Sequence, residues 1–257
     1  MSFDRKKVTV LHIEPTTVCQ AACPQCDREN LNLYTDHNRS ELTVEQIKKI
    51  IDEDFILQLK KMFMCGNFGE PAAAKDCLEI FKHFKMVNPN IVIGLNTNGG
   101  VRSKTWWADL AKTMNGTLDY VVFSIDGLKD TNHIYRRNVN WNKLMSNVES
   151  FISNGGSAHW DMLIFEHNQH QVNQALDLAT KMGFTWFRTK VTKRFDDSPV
   201  EFLKPPLDFV DPNVKNPKAI SCLALEEQSL FLAANGQFLP CCHIGPYIFN
   251  IDRKSVV

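Results

Sequence analysis

A chain of 257 residues with 44% hydrophobic and 23% charged side chains has the composition of a folded domain and enough length for a sizeable core. Its 29 basic and 29 acidic residues cancel, so no overall basic field marks a nucleic-acid binder. No apolar run is long enough to span a bilayer and the opening MSFDRKKVTV lacks a signal-peptide core, so no membrane partner and a cytoplasmic location are expected.

Short β-rich runs alternate with helical patterns along the chain. VTVLHI (8–13) reads as a first strand leading into a cysteine-rich loop. A helix is expected from Thr43, where Thr43 and Gln46 have capping-box spacing and Leu42 with Ile47 fits a hydrophobic staple. KMFMC (61–65) is a second strand, closed by GNFGEP, with Pro71 suited to a first helical turn. IVIGLN (91–96) and YVVFSIDG (120–127) follow as third and fourth strands, each trailed by a helix. HWDMLIF (159–165) is a fifth strand, followed by a helix that an Asn168–Gln171 capping pair would start. FTWFRTKV (184–191) is a sixth. Six such alternations predict an α/β fold, a parallel sheet or an incomplete barrel, with its chemistry at the C-terminal strand ends.

The pattern then changes. Residues 196–219 are rich in proline and aspartate and read as a linker or wrapping segment. Beyond them, Asn235-Gly236 between two apolar runs is a hairpin signal. The expected organisation is a partial barrel over 1–195, the linker over 196–219, and a small hairpin-containing extension over 220–257.

Eight cysteines in such a chain point to metal ligands, reactive groups or buried thiols before disulfides. Cys19, Cys23 and Cys26 are spaced C-x3-C-x2-C, one thiolate short of a closed tetrahedral site. Three thiolates on one loop suit three corners of a [4Fe–4S] cluster whose fourth iron is free for another ligand. A zinc site completed by His12 or His37 is the alternative. Cys65 and Cys77 read as small buried hydrophobes.

On these residues the chain resembles the radical S-adenosylmethionine (radical SAM) superfamily, over nearly its whole length. Cys19, Cys23 and Cys26 match the superfamily's cluster motif, and GNFGEP matches the motif after its second strand. The resemblance implies a partial (β/α)6 TIM-like barrel binding a [4Fe–4S] cluster and SAM. It implies that Gly69 and Glu70 meet the methionine amino group, and that Asn96, Asn98, Ser124 and Asp126 face the ribose or carboxylate. Arg136 or Arg137, in IYRRN, resembles an arginine that holds the SAM carboxylate; Arg137 is carried forward. The implied activity is reductive cleavage of SAM to a 5′-deoxyadenosyl radical that takes hydrogen from a substrate, served by a flavodoxin- or ferredoxin-type reductant. Gln25 stands where the superfamily usually carries an aromatic.

A second group, Cys222 through Gly236 to Cys241 and Cys242, resembles the opening of the SPASM and Twitch appendages, which implies a possible second iron–sulfur cluster. His243 is a candidate non-cysteine ligand for it. Peptides, carbohydrates and small molecules are all substrates within the resemblance. The first strand begins about seven residues in, which argues against an N-terminal leader-binding domain. Among the remaining polar residues, His167 after the fifth strand and Arg188 and Lys190 on one face of the sixth are substrate candidates. The rival reading from another class is a non-catalytic iron–sulfur or zinc protein acting in electron transfer or metal binding.

Overall fold

The computed structural model describes residues 4–30, 39–192, 194–195, 200–208 and 222–244. Six strands run in parallel: β1 (Val10–Ile13), β2 (Lys61–Met64), β3 (Val92–Thr97), β4 (Tyr120–Ser124), β5 (Ala158–Leu163) and β6 (Trp186–Lys190). Each pairs with the next in sequence order. Two more strands, β7 (Ser229–Leu232) and β8 (Phe238–Leu239), complete an eight-stranded sheet ordered β6-β5-β4-β3-β2-β1-β7-β8. The sheet is an open α/β partial barrel with β6 at one edge.

The hairpin at Asn235-Gly236 forms as expected, with Gly236 at φ 85°, a left-handed conformation that glycine adopts without steric cost. Its first strand joins the barrel sheet directly, β7 pairing in parallel with β1 from Val10↔Ser229 to Ile13↔Leu232. Of the proline-rich 196–219 segment, only 200–208 falls among the described residues.

Two helix expectations need correction. The helix from Thr43 is capped as predicted: Gln46 N donates to Thr43 Oγ1 and Thr43 N to Gln46 Oε1. It stops at Ile50, however, because Asp52 caps a second short helix, Glu53–Gln58, by accepting from Phe55 N. The Asn168–Gln171 pair does not cap its helix. The Asn168 side chain bonds Phe165 N and the carbonyls of Asp126 and Leu163, while Gln171 reaches Leu128 N and Asp130. Both amides tie the β4 and β5 loops together instead, and helix Val172–Met182 begins without a side-chain cap.

Side-chain alternation sorts the sheet into two environments. Outward residues such as Met62, Ile93, Leu95, Phe123, Trp160 and Met162 are buried under the helices. Trp107 fills the middle of this layer, 5.3 Å from Phe123 and 6.3 Å from Phe151 by ring centroids. Inward residues become polar toward the strand C-termini, with Asn96, Ser124, Asp161 and Lys190 on one concave face. Cys77 is buried as expected, against Met64, but Cys65 is only partly buried and faces the concave side.

One ion pair holds the base of this array. Asp119, just before β4, accepts from Ile93 N (2.9 Å) and Gly116 N (2.9 Å) and pairs with Lys85 (2.7 Å), whose side chain is 12% exposed. It links helix Cys77–Val87, β3 and β4. Asp119→Ala should lower unfolding free energy by about 3–5 kcal/mol in urea titration, because Lys85 loses its counter-ion and keeps only the Ile91 carbonyl, while Ile93 N and Gly116 N lose their acceptor. Asp109→Ala, which breaks an exposed pair with Lys112, should cost less than about 1 kcal/mol.

Candidate functional site

The C-terminal ends of β1 to β6 surround a cavity of about 420 Å³. Cys19, Cys23 and Cys26 line it from the loop after β1, Gly69 and Glu70 from the loop after β2, and Asn96 and Asn98 from the end of β3. Ser124, Arg136 and Lys190 complete the arc across β4 to β6.

The loop after β2 is shaped by contact, since it passes very close to the cysteine loop. A Cβ on Gly69 would lie 1.8 Å from the Thr16 carbonyl oxygen, so no larger residue fits. Glu14, at the end of β1 and 1% exposed, receives Phe68 N (2.7 Å) and Gly69 N (3.2 Å) on the same oxygen. Glu70 is also buried, and its carboxylate braces β3 by accepting from Thr97 Oγ1 (2.5 Å), Asn98 N (2.8 Å) and Ala72 N (3.1 Å). Burial pushes the Glu70 carboxyl above the usual carboxylate range despite these bonds.

The three thiols each have a polar neighbour. Cys19 Sγ accepts from Ala21 N (3.4 Å) and lies 3.8 Å from Asn98 Nδ2. Cys23 Sγ is 3.7 Å from Arg136 Nη1, and Cys26 Sγ is 3.9 Å from the Asn67 carbonyl. Burial pushes the Cys19 thiol up to about 12 and raises Cys23 as well. Soft ligation must therefore displace protons from these sulfurs. Among the described residues no three His, Cys, Asp or Glu side chains converge on a single-ion geometry. A cluster asks for something different, because each thiolate takes its own iron at a separate corner, and three thiols along one cavity wall fit it better than one tetrahedral ion. His12 is no candidate for a fourth ligand here: Nε2 bonds the Cys65 carbonyl at 2.7 Å and the ring stacks on Phe63. His37 lies outside the described residues.

Several expected site residues take other places. Asp126 is fully buried behind the cavity, where it accepts from Arg136 Nε (2.6 Å) and Leu163 N (2.6 Å). Arg136, not Arg137, therefore faces the cavity; Arg137 lies over the Phe202 ring at 4.6 Å. His167 stacks on Phe165 away from the cavity, and Arg188 sits behind Asp161. Asn98 is a strut, its Oδ1 receiving Gln20 Nε2 (2.6 Å) from the cysteine loop and Gly100 N (2.9 Å). Cys222 is exposed, and none of Cys222, Cys241 and Cys242 lines the cavity, although the Cys242 carbonyl receives Asn67 Nδ2 at 2.7 Å. Sequence reasoning missed Asp161, Thr192 and Arg194, which line the β5–β6 wall. Period-two alternation from Lys190 and its register partner Leu163 gives Asp161; Arg194, beyond the strand, carries no such signal.

The Radical SAM superfamily model matches residues 13–179. Among solved structures, the Streptococcus suis SuiB bound to S-adenosylmethionine is similar over 96% of this chain and 62% of its own, with TM-score 0.68 and 13% identity. The native anSMEcpe with bound AdoMet is similar over 71% of this chain and 51% of its own (TM-score 0.56, 18% identity). Methylornithine synthase (PylB) follows at TM-score 0.52 and 14% identity, over 74% of this chain and 55% of its own. The chain thus spans about three fifths of the length of SuiB. No curated protein matches it. Among the described residues no helix is long and apolar enough to cross a membrane.

Glu14 gives the site a measurable pH signature. Burial pushes its carboxyl up to about 7, outweighing the N–H bonds that lower it. The folded chain thus holds this proton more tightly than the unfolded chain. The resulting stabilisation is complete below pH 4.5 and lost as pH rises through 7. His12, lowered by burial to about 4, acts in the opposite sense, losing stability as pH falls through 6.5 toward 4. Glu14→Gln keeps the acceptor oxygen and removes only the carboxyl titration. The stability of wild type relative to this variant should therefore grow by about 3 kcal/mol from pH 8 to pH 4, read from urea midpoints.

Proposed function

We propose, for a chain that belongs to the radical SAM superfamily, that it is an enzyme that holds a [4Fe–4S] cluster on Cys19, Cys23 and Cys26 and cleaves SAM reductively. One observation carries this reading: the three thiols share a single cavity with the polar ends of β2, β3 and β4. The AdoMet named in the structures of SuiB and anSMEcpe supports it. When bound, the cluster supplies the electron that splits the SAM sulfonium into methionine and a 5′-deoxyadenosyl radical, which takes a hydrogen atom from the substrate. A one-electron reductant of the flavodoxin or ferredoxin type is the proposed partner.

The chain's own residues do the positioning. Ala21 N–H and Arg136 direct donors at the Cys19 and Cys23 sulfurs, and such donors orient and stabilise thiolate ligands. Arg136, fixed by Asp126, is the cation for the SAM carboxylate, in the role expected of its neighbour Arg137. The turn at Gly69 offers its main chain to the methionine ammonium, while the Glu70 carboxylate holds that turn against β3. Asn96 and Ser124 remain as inward polar groups for the ribose. Tyr135 and Leu163 add apolar surface that excludes water.

The finer part of the proposal is a second iron–sulfur cluster on Cys222, Cys241 and Cys242. Its support is the hairpin and the Asn67–Cys242 contact, which ties the C-terminal cysteines to the loop after β2.

Anaerobic reconstitution tests both parts. About four irons per chain are expected from the first site alone and about eight if both are filled. With dithionite and SAM, wild type should form 5′-deoxyadenosine, and a Cys19→Ala, Cys23→Ala, Cys26→Ala chain should not. Equal amounts from both would end the catalytic reading. Arg136→Ala should weaken SAM binding about tenfold or more, as expected for a charged hydrogen bond, whereas Arg137→Ala should leave it nearly unchanged.

A further inference from the structure

The wall of the cavity formed by β5 and β6 differs from the wall that the proposed SAM contacts occupy. Asp161, on the inward face of β5, is 7% exposed. Arg188 binds it through two bonds, Nε to Oδ1 at 3.0 Å and Nη2 to Oδ2 at 2.8 Å. That fork alone matches a carboxylate in charge and shape. Lys190 Nζ nevertheless sits on the same Oδ2 as a second cation. Arg188, the register partner of Asp161 on β6, does not line the cavity, whereas Lys190, two residues on, does. One carboxylate thus carries two cations, and the surplus charge is presented to the cavity. Arg194 lies on the same wall, with Asp27 only at 3.6 Å and its Nη1 on the Gln25 carbonyl at 2.6 Å.

We infer that this wall receives an anionic group of the substrate, a carboxylate or a phosphate, on Lys190, with Arg194 beside it and the Arg188–Asp161 pair holding Lys190 in place. The inference rests on the enzyme reading above and adds the chemistry of the substrate to it. An anion entering here makes a charge-assisted bond to the Lys190 side chain, which is 43% exposed and lines the cavity. Leu163 and Tyr135, also on the cavity, would meet the apolar part of the same molecule. The competing explanation is that inward charges on β6 only guard an open sheet edge against pairing with another chain.

The test titrates inorganic phosphate, and separately acetate, into the reconstituted protein at constant ionic strength, with and without saturating SAM, reading the melting temperature. Binding to the folded state raises that temperature with concentration, which yields an apparent Kd. Either anion should stabilise wild type both with and without SAM, and the more effective one names the group. Lys190→Met should weaken that Kd about tenfold or more, Lys190→Arg should keep it, and SAM affinity should be unchanged in both. An equal response in wild type and Lys190→Met, or no response, overturns the inference in favour of edge protection. Loss of the response on adding SAM, or a roughly tenfold loss of SAM affinity in Lys190→Met, overturns it by assigning Lys190 to the SAM carboxylate. A wild type that binds no SAM refutes the enzyme reading separately, and the phosphate arm without SAM still reports on Lys190.

Discussion

A buried carboxylate at the end of the first strand, Glu14, is the joint on which the site depends. Its own N–H bonds the Leu232 carbonyl of β7, and its side chain holds Phe68 and Gly69 in the loop after β2. The segment leading into the cysteine loop packs so closely on Gly69, through the Thr16 carbonyl, that only glycine fits. Burying an acid costs free energy unless its oxygens are bonded, and here the bonds go to backbone N–H groups that would otherwise be orphaned. The close contact is thus accompanied by hydrogen bonds that satisfy the main chain of the loop after β2.

Beyond that joint, the cavity has two chemically distinct walls. Toward β2, β3 and β4, the polar groups are mostly engaged with one another: Glu70 with the end of β3, Asn98 with Gln20, Asp126 with Arg136. Such groups set backbone and cation positions rather than offering free side chains. Toward β5 and β6, charges are crowded on a single carboxylate and a lysine faces the opening. On the proposed reading, the first wall would serve the cofactor and the second the substrate.

Gln25 gains a physical role in this arrangement. Where the family resemblance implies an aromatic, this side chain is fully buried and donates Nε2 to the Arg194 carbonyl at 3.2 Å. Arg194 returns a bond from its guanidinium to the Gln25 carbonyl. The exchange fastens the cysteine loop to the segment after β6, across the mouth of the open sheet. A phenyl ring at position 25 would keep the main-chain acceptor for Arg194 but lose the side-chain donor.

Much of the fold was legible in the sequence because it is written in local terms. Alternation of apolar residues set the six strands, the Thr43–Gln46 pair set a helix start, and Asn235-Gly236 set the hairpin. The three cysteines and the GNFGEP turn also announced themselves, since spacing within one loop is a property of the chain alone. What sequence could not decide depends on partners distant along it. The Asn168–Gln171 spacing looked like a cap, yet both amides bond other loops, because a side chain takes whichever buried donor or acceptor lies nearest in space. Arg136 was indistinguishable from Arg137 until folding put Asp126 beside one and Phe202 beside the other. Asp161 and Lys190 are 29 positions apart and meet only because parallel pairing brings β5 and β6 into register. The sequence by itself determined the six strands and the spacing of the three thiols; the tertiary structure decided which charges face the cavity, since a charge's role is set by the partner that folding supplies.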